Sequence, residues 1–182
     1  MGIAILSATH RRESFTRRVA LYIARQITQQ GIGYTFVDFQ TLPRDFLFSD
    51  LFGARSETFQ SLIEDLHSSS QWIWVVPEYN GSFPGVVKVF IDALPREVLR
   101  GRRGGLVGVS DGRFGNLRGL EHLSGILNYC GMTVHPFRAH LMHIRSHWIE
   151  EEEAPDELYK QEVATFLMHF LREGAFSDSS VR

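Results

Sequence analysis

The chain has 182 residues, of which 43% are hydrophobic and 22% are charged, values typical of globular proteins, so intrinsic disorder and fibrous classes are excluded. Nineteen Lys and Arg residues against 21 Asp and Glu residues leave a formal charge of -2. There is no basic excess to neutralise a nucleic-acid backbone, and we expect no nucleic-acid partner. The length fits one domain with a core of its own.

The single cysteine, Cys130, excludes an intramolecular disulfide and any multi-cysteine zinc or iron–sulfur site. No window approaches 18 consecutive apolar residues, so no transmembrane helix and no membrane partner are expected. Residues 1–7 are apolar, but they run directly into charged residues and lack the features of a secretory signal. These observations predict a protein of the cytoplasm.

Short runs of β-branched and aromatic residues alternate with longer stretches of helical period along the chain. The predicted strands are 3–7, 34–39, 72–77, 105–110 and 132–134. The predicted helices are 14–30, 56–69, 84–94, 117–130 and 155–172. Residues 72–76 are apolar without alternation, which is typical of a central parallel strand covered on both faces. The order predicts a doubly wound, three-layer α/β/α domain with a five-stranded parallel sheet, and the Rossmann-like and flavodoxin-like strand orders are both open.

Ligands of such sheets bind beyond the carboxyl ends of the strands, so the loops after strands one, three and four are the candidate site. The first loop has hydroxyls at Thr9, Ser14 and Thr16 and a guanidinium at Arg11, and a helix starts directly after it. Hydroxyls, a positive charge and helix N-terminal amides are what a phosphate needs. In the alternative reading, Ser14 is only an N-cap and Arg11 is a solvated surface charge.

The second loop has two prolines and two glycines around Tyr79 and Asn80, which predicts a stiff segment against which a flat ring system can lie. The third, residues 110–118, is rich in glycine. For the second loop, the alternative is a turn that leads into a helix with Pro84 near its first position. For the third loop, it is a simple strand-to-helix turn.

Residues 77–88, PEYNGSFPGVVK, closely resemble the signature segment of the NADPH-dependent FMN reductase family of flavodoxin-like proteins, which includes azo-dye, chromate and quinone reductases. The resemblance extends from residue 3 to about residue 136. It implies a flavodoxin-like fold over residues 1–182, FMN and NADPH as cofactors, and a homodimer or homotetramer. It also implies an enzyme that passes hydride from NAD(P)H through FMN to a small-molecule electron acceptor: a quinone, an azo compound, free flavin or a similar compound.

The resemblance assigns the first loop to the FMN phosphate and the other two loops to the flavin ring. The implied cofactor-binding residues are Thr9, Arg11, Ser14, Phe15, Thr16, Pro77, Glu78, Tyr79, Asn80, Gly81, Ser110, Gly112, Arg113 and Gly115. No catalytic side chain is implied because the flavin carries the chemistry. Glu13 replaces a glycine of the family, and its carboxylate opposes a dianionic phosphate. The alternative is therefore a non-enzymatic FMN-binding or regulatory module with weakened cofactor binding.

Three further segments carry weaker signals. His140, His143, His147 and Glu150 have the spacing of metal ligands on one helical face, but surface histidines explain them equally and we expect no metal. The acidic run 150–153 predicts the solvated start of the last helix. Residues 45–53, DFLFSDLFG, are apolar enough to predict a subunit contact or a lid. The GxGxxG and GxxxxGK motifs of tight NAD(P) and ATP sites do not occur.

Overall fold

The computed structural model describes residues 2–43, 45–51 and 55–174, without the side chains of residues 48 and 172–174. The strands are β1 (Gly2–Ser7), β2 (Tyr34–Asp38), β3 (Ser69–Pro77), β4 (Arg103–Val109), β5 (Thr133–Val134), β6 (Ala139–Leu141), β7 (Trp148–Ile149) and β8 (Ala154–Pro155). The α-helices are α1 (Phe15–Gln29), α2 (Phe46–Ser49), α3 (Glu57–His67), α4 (Gly85–Ala93), α5 (Arg96–Leu99), α6 (Leu117–Tyr129) and α7 (Glu157–Gly174). Two short 3-10 helices span Phe39–Thr41 and Ile144–His147.

The main sheet has the strand order β2-β1-β3-β4-β5, and all of its pairings are parallel. This is the flavodoxin-like order, in which the chain reverses direction of winding between β1 and β3. The structure thereby confirms the predicted parallel sheet and decides between the two strand orders that the sequence left open. Because the strands are parallel, the loops after β1, β3 and β4 all lie at the carboxyl ends of the strands, on the same side of the domain.

The fifth position of the sheet differs from the single predicted strand, because two short segments share it. β5 pairs with β4 at Arg103 and Gly104, and β6 pairs with the far end of β4. Between them, Pro136 has no backbone N–H to donate to the ladder, so regular pairing stops there and resumes at Ala139.

The core has two halves, one on each face of the sheet. Along β3, Trp72 and Trp74 pack against the helices of one layer, while Ile73 and Val75 pack against α1 and α7 in the other. The prediction that this strand is covered on both faces is confirmed. On the α7 side a Cβ built on Gly105 would lie 2.8 Å from the Phe166 ring, so the helix approaches β4 where a side chain is missing.

The acidic run does not start the last helix, as the sequence predicted. Residues 150–153 form the turn between β7 and β8, and α7 begins only at Glu157. Arg18 and Arg25 on α1 form ion pairs with Glu150 and Glu153, which holds this hairpin against α1. A contact between distant segments therefore overrides the local preference of acidic residues for a helix start.

The apolar segment 45–53 is only partly described, since residues 52 and 53 lie outside the described residues. Phe46 is buried, with its ring centroid 4.9 Å from that of Phe59, whereas Leu47 is 49% exposed. The subunit contact at this segment stays a prediction. Within the described residues, the structure has no helix long and apolar enough to span a bilayer.

Candidate functional site

Three loops converge at the carboxyl ends of the parallel strands, and the first residue of each loop is hydrogen-bonded to a neighbouring strand. The backbone N–H groups of Ala8, Glu78 and Ser110 donate to carbonyls of the neighbouring strands at 2.9, 3.0 and 2.9 Å. The ladders of β1, β3 and β4 thus continue one residue into the loops. Because the sheet itself fixes where each loop leaves, the first polar groups of the loops hold fixed relative positions.

A cavity of about 430 Å³ lies between these loops, within the ~300–1,000 Å³ range of small-molecule sites. Eight of the residues implied by the family resemblance line it: Arg11, Ser14, Phe15, Thr16, Pro77, Glu78, Tyr79 and Ser110. Its other lining residues are not among the implied cofactor-binding residues: Arg12, Glu13, Arg18, Val109, Asp111, Ile144, Arg145 and Glu150. Seven of the eight implied residues that line the cavity come from the first two loops.

Thr9 supports the cavity without lining it. Its side chain is buried, and its Oγ1 shares a hydrogen bond of 2.8 Å with the Tyr79 hydroxyl. The same oxygen accepts a hydrogen bond from the Arg11 backbone N–H at 3.2 Å. Thr9 therefore joins the first loop to the second and fixes the Tyr79 ring at the cavity wall.

Asn80 and Gly81 form the tip of the second loop, outside the cavity lining. Both have positive φ, +52° and +76°, and the flanking Tyr79 and Ser82 exchange two backbone hydrogen bonds of 2.8 and 3.0 Å. Asn-Gly with two positive φ angles is the signature of a type I′ turn. The pair shapes the loop that presents Tyr79.

The third loop contributes Ser110 to the cavity, while Gly112, Arg113 and Gly115 lie outside its lining. The Ser110 hydroxyl donates to the Gly112 carbonyl at 2.8 Å and accepts from the Gly115 N–H at 3.1 Å, which folds the loop on itself. Nδ1 of His140 donates to the Gly115 carbonyl at 3.0 Å. Ser110 is therefore held from two sides at the cavity wall.

Asn116 supports the site through hydrogen bonds to the end of β3, and the sequence did not indicate this role. It is fully buried, and its Nδ2 donates to the carbonyls of Val76 and Pro77 at 3.1 and 3.0 Å. Its backbone is left-handed, with φ at +59°, a conformation that asparagine tolerates better than most residues. It joins the third loop to the carboxyl end of β3. Its place directly before a helix suggests a cap, but only the tertiary structure gives it these two acceptors.

The start of α1 offers hydrogen-bond donors to the cavity. Ser14 is the N-cap: its Oγ accepts from the Arg17 N–H at 3.2 Å, which leaves the hydroxyl hydrogen to donate elsewhere. The amides of Phe15 and Thr16 lie in the first helical turn, where the helix supplies no acceptor. Hydroxyls, amides and the exposed Arg11 guanidinium form a donor set that fits a phosphate dianion.

Glu13 lines the same cavity with an exposed side chain and a strained backbone, with φ at +51°. A positive φ costs a non-glycine residue about 1–2 kcal/mol. Its carboxylate forms no ion pair with any residue that the structure describes, since the nearby Arg17 instead pairs with Asp38 at 2.6 Å. The position has the geometry of a glycine but carries a negative charge.

The charges around the cavity are mixed. Nη1 of Arg18 donates to both carboxylate oxygens of Glu150 at 2.6 and 2.8 Å, and Nε of Arg145 donates to Asp111 at 3.3 Å. Arg11, by contrast, makes no ion pair with a described residue. The cationic end of the cavity therefore lies at the first loop.

The metal-like histidine spacing does not produce a common helical face. His140 lies in β6, His143 donates from Nδ1 to the Asp111 carbonyl at 3.1 Å, and Nδ1 of His147 lies 2.8 Å from an Asp156 oxygen. Among the residues with described positions, no group of three or more His, Cys, Asp and Glu side chains could hold a metal ion.

A sequence model described as NADPH-dependent FMN reductase matches residues 1–143. The chain belongs to this family. It is 30% identical over 139 residues to a 2-hydroxy-1,4-benzoquinone reductase of a Burkholderia species, with 74% of each chain covered. It is 28% identical over 127 residues to a quinone reductase of Pseudomonas putida, with 66% of each chain covered. The predicted resemblance is confirmed: the protein is an oxidoreductase of a family that uses FMN and NAD(P)H.

Solved structures confirm the flavodoxin-like fold. An apo NADH:FMN oxidoreductase aligns with a TM-score of 0.76 at 19% identity, over 100% of this chain and 93% of the other. A flavoenzyme NAD(P)H:(acceptor) oxidoreductase from Paracoccus denitrificans aligns with a TM-score of 0.71 at 18% identity, over 94% and 97% of the two chains. An archaeal flavodoxin aligns with a TM-score of 0.60 at 12% identity, over 94% and 96%.

Proposed function

We propose that this protein passes hydride from NAD(P)H through bound FMN to a quinone. The observation that carries the proposal is the 430 Å³ cavity at the edge of the sheet, with phosphate donors at one end and the loops after β3 and β4 at its walls. Two relatives named as quinone reductases support the choice of acceptor. When bound, FMN would supply the redox chemistry, namely a ring that accepts hydride from the nicotinamide and passes the electrons to the acceptor.

The chain's own residues bind FMN and orient its ring system. Arg11, the Ser14 and Thr16 hydroxyls and the first amides of α1 bind the phosphate, because they are the donors that face the cavity at that end. Glu78, Tyr79 and Ser110 bind the ring system through the loops that the sheet anchors.

The remaining implied residues act through the shape of the loops. Thr9 holds Tyr79 by their shared hydrogen bond, and Asn80 with Gly81 forms the turn that presents it. Gly112, Arg113 and Gly115 shape the third loop around Ser110. No proton donor or acceptor of the protein is needed for hydride transfer itself, so we assign no catalytic side chain.

We also propose that residues 1–182 form one FMN-binding domain of a cytoplasmic homodimer or homotetramer with neither a membrane nor a nucleic-acid partner. The packing of α7 supports the single domain, because the rings of Phe166 and Phe170 fill the space over Gly105 although α7 follows the matched residues 1–143. The lone cysteine supports a reducing compartment.

The alternative is an FMN-binding or regulatory module with weakened cofactor binding. Glu13 favours it, because its carboxylate pairs with no described residue and lines the cavity at the phosphate end. In that case the wild-type protein binds FMN weakly and turns over no acceptor, and Glu13→Gly restores tight binding.

The test is an anaerobic titration of the purified protein with FMN, then with NADPH or NADH, followed by absorbance. A flavin band that bleaches with the nucleotide and returns on addition of a benzoquinone supports the proposal. Matched additions of an azo dye and of free FMN compare the other acceptors. If micromolar FMN cannot saturate the protein, the proposed enzyme is contradicted. If the other acceptors restore the flavin band and quinones do not, the proposal of a quinone as acceptor is contradicted.

A further inference from the structure

Residues 144–155, here called the strap, cross the start of α1 and lie beyond the residues that the family model matches. The strap comprises a 3-10 helix and the β7–β8 hairpin. The Trp148 ring packs edge-on against Phe15 with centroids 6.0 Å apart, and Glu150 accepts two hydrogen bonds from Arg18. The strap is therefore fastened to the helix whose first turn forms the phosphate end of the cavity.

Arg145 of the strap lines the same cavity as Arg11, Ser14 and Thr16. Its guanidinium carbon lies 5.3 Å from the centroid of the Phe15 ring, a cation–π distance that holds the charge over the first residue of α1. Its Nε donates to Asp111 at 3.3 Å, a long bond to an exposed carboxylate. The two terminal nitrogens donate to no acceptor within the described part of the chain, so the planar donor pair of the guanidinium is available to a ligand.

The charges of the cavity give that donor pair a role. Glu13 adds a carboxylate at the phosphate end. Both oxygens of Glu150 hold the Arg18 guanidinium at 2.6 and 2.8 Å, whereas Asp111 holds Arg145 by a single bond of 3.3 Å, so Arg145 is the more available of the two. Arg11 and Arg12 line that end as well, and their two positive charges stand against the three negative charges of Glu13 and a phosphate dianion, so one more positive charge is needed for balance. Arg145 is the cationic strap residue that lines this cavity.

We propose that Arg145 binds the FMN phosphate together with Arg11. The inference rests on the proposed FMN site and adds to it a residue from outside the family's phosphate loop. Asp111 and Phe15 then act as positioning residues that hold the guanidinium beside the helix start. An arginine from the strap compensates for the carboxylate that Glu13 places in the phosphate loop.

The test compares the dissociation constants of FMN and riboflavin, which lacks the phosphate, by quenching of flavin fluorescence. A charge-assisted hydrogen bond lost in Arg145→Ala corresponds to a rise of about 10- to 100-fold in the FMN constant. The riboflavin constant stays within about twofold of wild type. Arg145→Gln shows the same pattern while keeping much of the side-chain stem. The control Arg96→Ala, which removes an exposed arginine of α5 that does not line this cavity, leaves both constants unchanged.

Equal losses of FMN and riboflavin affinity overturn the inference, because they indicate a loosened strap and no contact with phosphate. An unchanged FMN constant in both Arg145 variants also overturns it. So does a selective rise in the KM of NADPH over NADH with FMN binding unchanged, which would assign Arg145 to the dinucleotide's own phosphate. Wild-type protein that binds no FMN refutes the proposed function itself, an outcome distinct from wild-type binding that the variants retain. Since the Arg145 side chain is 68% exposed, we expect both variants to fold.

Discussion

Replacing Asn116 by alanine tests whether one buried side chain holds two walls of the candidate site together. The substitution removes the hydrogen bonds to Val76 and Pro77, at 3.1 and 3.0 Å. Each contributes about 1 kcal/mol net. Alanine at a φ of +59° costs about 1 kcal/mol more. We therefore expect Asn116→Ala to lower the free energy of unfolding by about 3 kcal/mol.

Urea denaturation followed by far-UV circular dichroism measures this loss, which corresponds to roughly 6–12 °C in the thermal midpoint of a chain of this size. FMN affinity should fall as well, because Glu78 and Tyr79 directly follow the two braced carbonyls. The control is Asn128→Ala on the helix that Asn116 precedes, where an exposed side chain makes one long hydrogen bond of 3.3 Å. We expect it to change stability by less than about 0.5 kcal/mol.

A loss below about 1 kcal/mol in Asn116→Ala would refute the reasoning, because it would mean that the two hydrogen bonds contribute nothing net. Equal losses in Asn116→Ala and Asn128→Ala would refute it too. If stability falls as expected and FMN affinity does not, Asn116 supports the fold but does not position the second loop.

Three other predictions follow from contacts near and far from the site. Gly108→Ala should lower the free energy of unfolding by about 2 kcal/mol or more, measured by urea denaturation, because its Cβ would lie 2.0 Å from the Gly115 carbonyl oxygen. The control Gly125→Ala, whose Cβ would meet nothing within 4 Å, should raise the free energy of unfolding by about 0.5–1 kcal/mol. Glu13→Gly should relieve about 1 kcal/mol of backbone strain and lower the FMN dissociation constant, and an unchanged constant would exclude a repulsive role for the carboxylate. Burial raises the pKa of Asp156, but hydrogen bonds from its histidine partner and from backbone amides outweigh this and leave the pKa below its usual value. Its stabilisation is thus complete above about pH 4 and lost as the pH falls through the folded-state pKa, so the stability gap between wild type and Asp156→Asn should narrow from pH 6 to pH 3.

Local signals in the sequence were sufficient for the fold class. The non-alternating run at Trp72 and Ile73 predicted a strand covered on both faces, and the structure puts the two side chains in opposite halves of the core. The segment 77–88 resembles the family's signature, which the matched family model confirms. Both signals depend on residues close together in the chain, so they can be detected without knowing the topology.

Long-range contacts decided what the sequence could not. The acidic run 150–153 favours a helix start locally, but ion pairs to Arg18 and Arg25 hold it in a hairpin turn. Asn116 reaches two carbonyls about 40 residues earlier in the chain, and no local pattern marks such a contact. Arg145 likewise comes to Phe15 only because the strap folds back over α1.

The sequence by itself determined the alternation of strands and helices, the family and the three loops that form the candidate site, because periodicity and turn residues are local properties of the chain. Only the tertiary structure decided the strand order, the hydrogen bond between the buried Thr9 and Tyr79, and the position of Arg145, which the strap brings to the cavity. These depend on which distant segments become neighbours when the apolar faces of the helices are buried against both sides of the sheet.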